Sequence, residues 1–357
     1  MTAFFLKCKH AGDYLRNAEE FSLEDDGMIR IGMIGCGGIA RHHLGQLSRI
    51  EGVKVVALQD PDAEQIKRCQ AGFSPLVGEA TVLNTADWKQ LLALDEVDAV
   101  EICTPHTQHG PQALDSIAAK KHVLLEKPMV SNVQEAHTLL KALEGYEKVF
   151  ALAYQRHAMG QFKLIRDKIA SGEMGQVTSL NALQSQSWKN GTAGSWRQDP
   201  VLSGGGQIND SGSHLVDILL YTTGLTVAQV AAFQDFRGTP VDIDSVLSIR
   251  FTNGALGNVS VIGDTVVGWH EDISIWCEKG AFFYRNGQLT IVDDKNVRTI
   301  MDGNNLPGTQ NIDENFVGAI RGENAIAAPP LCGLRTIEMT EAAWESAKLG
   351  GAPVTMN

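Results

Sequence analysis

A chain of 357 residues, 43% hydrophobic and 20% charged, carries enough apolar material for one large or two medium cores, which excludes a disulfide-stapled miniprotein, a disordered segment and a collagen-like repeat. Thirty Lys and Arg against 42 Asp and Glu give a formal net charge of -12, so there is no overall basic footprint and nucleic acid is not an expected partner. Six cysteines, at 8, 36, 69, 103, 277 and 332, form no CxxC pair, a usage that suits reduced thiols better than a disulfide or zinc framework.

Residues 1–27, which end in Glu24-Asp25-Asp26-Gly27, read as an amino-terminal extension outside the regular pattern. Their apolar run, Ala3 to Leu6, is too short for a secretory core or a membrane span, so a cytoplasmic protein without a membrane partner is expected. From there the pattern sharpens: Ile29 to Ile34 predicts a strand, Gly35 to Gly38 a turn, Ile39 to Ile50 a helix and Val53 to Gln59 a second strand. Alternation continues through Asp98 to Cys103, Gln112 to Ala119, His122 to Glu126, Val133 to Leu143 and Lys148 to Ala153. Residues 28–153 are therefore expected to form a doubly wound, mostly parallel sheet with helices on both faces. Beyond Tyr154 the texture changes. A helix over Phe162 to Ala170 leads into strand candidates at Val177 to Trp188, Val227 to Phe236, Asp244 to Phe251, Ala255 to Ile262, Asp272 to Cys277 and Ala281 to Tyr284. Helices are expected at Gln207 to Leu220 and at Leu334 to Leu349, the latter stopped by Gly350 and Gly351. Residues 154–357 read as a second domain built on an antiparallel or mixed sheet, with the late helix packing back near the first.

Gly35-x-Gly37-x-x-Ala40 follows a strand and opens a helix, the context in which a glycine string becomes a dinucleotide fingerprint. The first glycine permits the turn, the second admits a pyrophosphate, and the helix amides face the phosphates. Asp60, at the end of the second strand, is placed to accept both adenosine ribose hydroxyls and to repel a 2'-phosphate, which favours NAD over NADP. Glu126-Lys127-Pro128 sits at the carboxyl end of another strand, where such sheets bind ligands, and a lysine there can hold or protonate a substrate oxygen. A glycine run, Gly204-Gly205-Gly206, leads to Asp210 and His214; on a helix from Asp210 the two share a face, so the carboxylate can support the imidazole. His214 with Asp217 lacks the companions of a metal site, and no metal is expected. His42 and His43 read as surface and packing residues.

These motifs, with Thr104-Pro105, His122-Val123-Leu124-Leu125-Glu126-Lys127-Pro128 and Trp196-Arg197, strongly resemble the Gfo/Idh/MocA family of the glucose-fructose oxidoreductase and inositol dehydrogenase group, over roughly Met28 to Gly350. The resemblance implies an amino-terminal Rossmann domain, a carboxyl-terminal α/β domain on a large open, mostly antiparallel sheet, an active site between them, and a homodimer or homotetramer. It implies NAD held by Gly35, Gly37, Gly38, Ile39, Ala40, Asp60, Thr104, Pro105, Glu126 and Lys127. Lys127 and His214 are implied as the catalytic pair, with Asp210 supporting His214, and Arg156, Trp196 and Arg197 as further substrate contacts. The implied activity is an NAD-dependent dehydrogenase for a sugar, polyol or inositol-like secondary alcohol. An NAD-retaining glycosidase using transient oxidation and a non-catalytic sugar or nucleotide sensor are the alternatives. The family commonly has Asn after Thr-Pro, where this chain has His106, followed by His109.

Overall fold

The computed structural model describes residues 27–303 and 306–356; the amino-terminal extension, Cys8 included, lies outside them. Among the described residues the strands form two sheets. The first contains β1 (Ile29–Ile34), β2 (Val53–Gln59), β3 (Thr81–Leu83), β4 (Ala99–Ile102), β5 (His122–Leu125) and β6 (Phe150–Leu152) in the order β3-β2-β1-β4-β5-β6, every pair parallel. Parallel neighbours need crossovers, supplied here by α1 (Gly38–Leu47), α2 (Ala63–Gly72), α3 (His109–Ala118) and α4 (Val133–Ala142). Strand order reverses between β1 and β4, so the turns that leave these two strands bracket the crevice where open α/β sheets place a ligand.

After α5 (Gly160–Ala170) the second sheet begins. It comprises β7 (Val177–Ser185), β8 (Val227–Asp235), β9 (Asp244–Phe251), β10 (Leu256–Ile262), β11 (His270–Cys277), β12 (Gly280–Arg285), β13 (Gln288–Val292), β14 (Arg298–Asp302) and β15 (Val354–Thr355), ordered β14-β13-β12-β11-β7-β10-β9-β8-β15. All pairs are antiparallel except β7 with β10. The expected mostly antiparallel sheet is present, extended by β13 and β14 beyond the strands readable from sequence. Alternation along β9 and β10 divides the sheet into two faces. Leu247, Ile249, Val259 and Val261 are buried with α5 and α6 (Ser211–Thr223), while Val246, Ser248, Arg250, Leu256 and Asn258 lie on the exposed face.

Two carboxyl-terminal helices return to the first sheet. In α7 (Ile312–Ile320), Ile312, Phe316 and Val317 join the core that holds Ile29, Leu44 and Leu58. In α8 (Pro330–Lys348), Leu334 and Ile337 pack with residues of β4, β5 and β6, whereas Met339, Ala342 and Ala343 enter the core of the second sheet. One helix thus belongs to both cores. Phe316→Ala, which empties a fully buried ring site in the first core, is expected to lower the unfolding free energy by about 3–5 kcal/mol. Urea unfolding that shifts by less than about 1 kcal/mol would show that α7 does not anchor there.

Candidate functional site

The glycine turn has the shape a dinucleotide requires. Gly35 has φ +86°, and a side chain on it would meet Cys103 O and Thr104 Cγ2 at 2.9 Å. Gly37 faces open space, and as the N-cap of α1 it leaves the first-turn amides without a side-chain cap. Gly38 and Ile39 open the helix; Ile39 is exposed at the mouth, while Ala40 is buried against the sheet. Asp60 lies beside the turn, its Oδ2 accepting the Cys36 N–H at 2.7 Å and its Oδ1 the Asp62 N–H at 2.8 Å. Each oxygen keeps a further lone pair for a ribose hydroxyl. An open approach to Gly37, uncapped helix amides and an adjacent carboxylate fit a dinucleotide cofactor.

Lys127 follows β5. Its backbone is fixed by Glu126, whose N–H donates to Ile102 O at 3.0 Å and whose Oε2 accepts the Lys127 N–H at 2.9 Å. The Glu126 carboxylate is turned inward to His43. The Lys127–Pro128 peptide is cis. Fully buried His109 lies between the Thr104-Pro105 turn and the lysine loop, Nδ1 2.7 Å from Pro128 O and Nε2 3.0 Å from Thr104 O, and as a neutral ring it donates to one of the two carbonyls.

The Lys127 ammonium donates to Asp210 at Oδ1, 2.9 Å away, and to its carbonyl at 3.3 Å. The other carboxylate oxygen accepts from Trp188 Nε1 at 2.8 Å and Arg197 Nε at 3.0 Å; His106 Nε2 stands 3.5 Å from Oδ1. Burial alone would raise the Asp210 pKa, but Lys127, the His106 hydrogen bond and Arg197 hold it well below the usual carboxylate range. Trp196 packs edge-on against His106 at 4.7 Å, and the Arg197 guanidinium lies 4.4 Å over the Trp196 ring. Among these partners the sequence singled out Lys127, Trp196 and Arg197. It marked His106 only as a departure from the family pattern and overlooked Trp188.

His214 corrects the expected pairing. Asp210 has φ −85° and ψ −95° and caps α6, which begins at Ser211, so the i,i+4 stacking of a helix from Asp210 does not occur. Its hydrogen bonds go to Lys127, Trp188 and Arg197 instead. His214 is half-buried beside Tyr154, its Nδ1 buried without a partner. Burial first, then the charges of Lys127 and Arg156, push its pKa well below the ordinary imidazole value, with only Asp210 opposing them. At neutral pH the ring is therefore uncharged and able to accept a proton. Asp217, weighed with His214 as a metal pair, hydrogen-bonds His157 Nε2 at 2.8 Å.

Arg156 is buried in an ion pair with Glu271, Nη1 to Oε1 2.6 Å, a partner that the sequence did not reveal. The glycine run admits another chain segment: Asp242, also unread in the sequence, accepts the Gly206 and Ile208 N–H groups at 3.0 Å and Trp344 Nε1 at 3.0 Å. A side chain on Gly206 would collide with the Asp242 backbone.

The sequence matches two family models, one described as an oxidoreductase family with an NAD-binding Rossmann fold over residues 29–154 and the other as a GFO/IDH/MocA C-terminal domain over residues 162–283. The chain belongs to the GFO/IDH/MocA oxidoreductase family. It is 27% identical over 271 residues to the uncharacterized oxidoreductase YrbE of Bacillus subtilis, covering 74% of this chain and 76% of that protein. It is 25% identical over 277 residues to the myo-inositol 2-dehydrogenase of Thermotoga maritima, covering 74% and 77%. A solved structure of levoglucosan dehydrogenase in complex with NADH superposes with a TM-score of 0.81 at 19% identity, over 92% of this chain and 99% of that one, which shows a shared fold. The family architecture is thus an NAD-binding oxidoreductase fold consistent with sugar or polyol dehydrogenase activity.

Burial pushes His109 down to about 4, so the folded protein excludes a proton that an unfolded histidine binds near 6.5. That contribution, about 3 kcal/mol, is full above pH 6.5 and is lost as the pH falls toward 4. His109→Gln should flatten the pH dependence of urea unfolding across this window by about that amount; an unchanged slope would contradict the burial of a neutral ring.

Proposed function

We propose that this protein is an NAD-dependent dehydrogenase oxidising a secondary alcohol of a sugar, polyol or inositol-like substrate, in the reversible manner of such enzymes. The observation that carries the reading is one cluster at the carboxyl ends of the parallel strands, where the Lys127 ammonium is held on Asp210 near an uncharged His214. NAD bound on the glycine turn would supply the hydride acceptor. His214 takes the hydroxyl proton as a general base through Nε2, the nitrogen opposite the buried Nδ1. Lys127 donates a hydrogen bond to the same oxygen and stabilises the negative charge that develops on it. Asp210 keeps the ammonium in place, with Arg197 and Trp188 fixing the carboxylate from the other side. Asp60 favours the ribose diol of NAD over a 2'-phosphate, through like-charge repulsion that neighbouring Asp62 reinforces.

Gly35, Gly37, Gly38, Ile39, Ala40, Asp60, Thr104, Pro105 and the Glu126-Lys127 backbone form the cofactor side, and Arg156, Trp196 and Arg197 border the substrate. The names of the myo-inositol and levoglucosan dehydrogenases support a compact polyhydroxylated substrate. Assembly into a homodimer or homotetramer uses the open face of the nine-stranded sheet, where Phe233, Val246 and Leu256 are exposed apolar side chains. The described cysteines 36, 69, 103, 277 and 332 are free, which suits the reducing cytoplasm, and among the described residues no helix is long and apolar enough to cross a membrane.

The test is an anaerobic NADH-formation screen of the purified protein over polyols, aldoses, inositols and sugar acids, with the product identified. NADH formed together with the matching ketone is the expected result, and NAD binding with no turnover on any member contradicts the reading. Lys127→Ala should lower kcat by about 10²-fold or more while NAD affinity stays within about threefold; undiminished turnover would remove Lys127 from the mechanism. Asp60→Ala should weaken NAD at least about tenfold, by about 1.4 kcal/mol, in a protein that still folds, as read by titration of cofactor binding.

A further inference from the structure

Behind the lysine loop lies a group of ionisable side chains that the proposed chemistry does not use. His43 of α1, Glu101 of β4, Glu126 at the end of β5 and Asp313 in the first turn of α7 are all buried. The His43 ring spans two carboxylates: Nδ1 is 2.9 Å from Asp313 Oδ1 and Nε2 is 3.1 Å from Glu126 Oε1, with Glu101 Oε2 3.9 Å from Nδ1. A carboxylate on each side calls for an N–H on each ring nitrogen, so the ring is an imidazolium. Burial opposes that charge, yet Asp313 and Glu126 raise the His43 pKa well above its ordinary value. Burial, with Asp313 beside it, pushes the Glu101 pKa well above the ordinary carboxylate value, which disfavours a further charge there. The remaining oxygen of Glu126 accepts the Lys127 N–H at 2.9 Å.

We infer that His43 is a positioning residue: the chain Asp313–His43–Glu126 clamps the backbone at Lys127, so that a helix arriving after the second sheet sets where the ammonium stands. A surface or packing role for His43 does not account for the two opposed carboxylates. Removing the Nε2 donor would leave Glu126 free to leave the Lys127 N–H for water, because a buried unpaired carboxylate is strongly destabilised. Asp313 at the start of a helix is held where the positive end of the helix dipole favours its charge, which makes it a firm anchor.

The kinetic consequence rests on the proposed role of Lys127 at the alcohol oxygen; the structural one does not, and the two are read separately in the full-length protein. Asn at position 43 reproduces the Nδ1 contact to Asp313 and loses Glu126, whereas Gln reproduces the Nε2 contact to Glu126. Hydrogen exchange followed by mass spectrometry, with no substrate present, should show the peptide covering residues 126–131 exchanging at least about tenfold faster in His43→Asn and only about threefold faster in His43→Gln, which keeps the donor to Glu126 and loses the Asp313 anchor. With NAD and the alcohol found by the screen, kcat should fall about tenfold or more in His43→Asn with KM for NAD within about threefold, and recover in His43→Gln. Asp313→Asn, which keeps the shape of the anchor and removes its charge, should speed the same exchange about threefold, and it decides the matter should His43→Asn fail to fold. Equal effects of Asn and Gln at position 43, faster exchange spread evenly over the molecule, or unchanged exchange at 126–131 in Asp313→Asn would overturn the inference. Should no alcohol be oxidised by the wild type, the dehydrogenase reading fails while the exchange experiment still decides the clamp.

Discussion

One buried carboxylate organises the site. Asp210 has little contact with water, and a carboxylate in such a position is tolerated only when its oxygens are filled by donors. Lys127, Trp188 and Arg197 fill them, with His106 close to Oδ1. Each donor comes from a different piece of chain, the end of a parallel strand, the helical turn after β7 and the Trp196-Arg197 turn, and the turn after β4 brings His106 alongside. Satisfying one charge therefore gathers four loops, and the ammonium that would meet the substrate is placed by the same requirement. The neighbouring histidine is kept uncharged by burial and by two nearby cations, so an ammonium and a neutral imidazole stand close together.

The two sheets are joined by more than this ion pair. Asp242 in the second domain grips the backbone of the glycine run and the Trp344 indole of α8, while α7 and α8 return to the first core. Gly206 is needed because another backbone passes where its side chain would be. The chain order of the domains thus differs from their packing: the first core is completed by residues more than 150 positions beyond its last strand, a distance visible directly in the numbering of Phe316 and Leu152. A site between such layers is held from both sides.

Much of this was legible in the sequence, for identifiable reasons. The glycine turn, β1, β2 and the alternation that follows obey local rules of period and turn chemistry, and β2 and β9 fall within the predicted residues. Lys127, Asp210, His214, Trp196 and Arg197 were found together through motifs. What failed depended on dihedrals or on distant partners. The Asp210–His214 pairing assumed a helix that starts one residue later, and the two opposed carboxylates of His43 come from two other pieces of the chain, one of them 270 positions away. A local sign of α7 was available in the capping box Asn311-x-x-Glu314, but nothing in its sequence pointed to α1. Glu271 and Asp242 lie in strands and turns whose own patterns carry no mark of chemistry.

The most direct measurement is a crystal structure of the protein with NAD and its alcohol, or a non-reacting analogue of that alcohol. The Lys127 ammonium and one ring nitrogen of His214 are expected within about 3.2 Å of a single alcohol oxygen whose carbon faces the nicotinamide. An alcohol oxygen that meets neither group, with Lys127 still committed wholly to Asp210, would contradict this geometry.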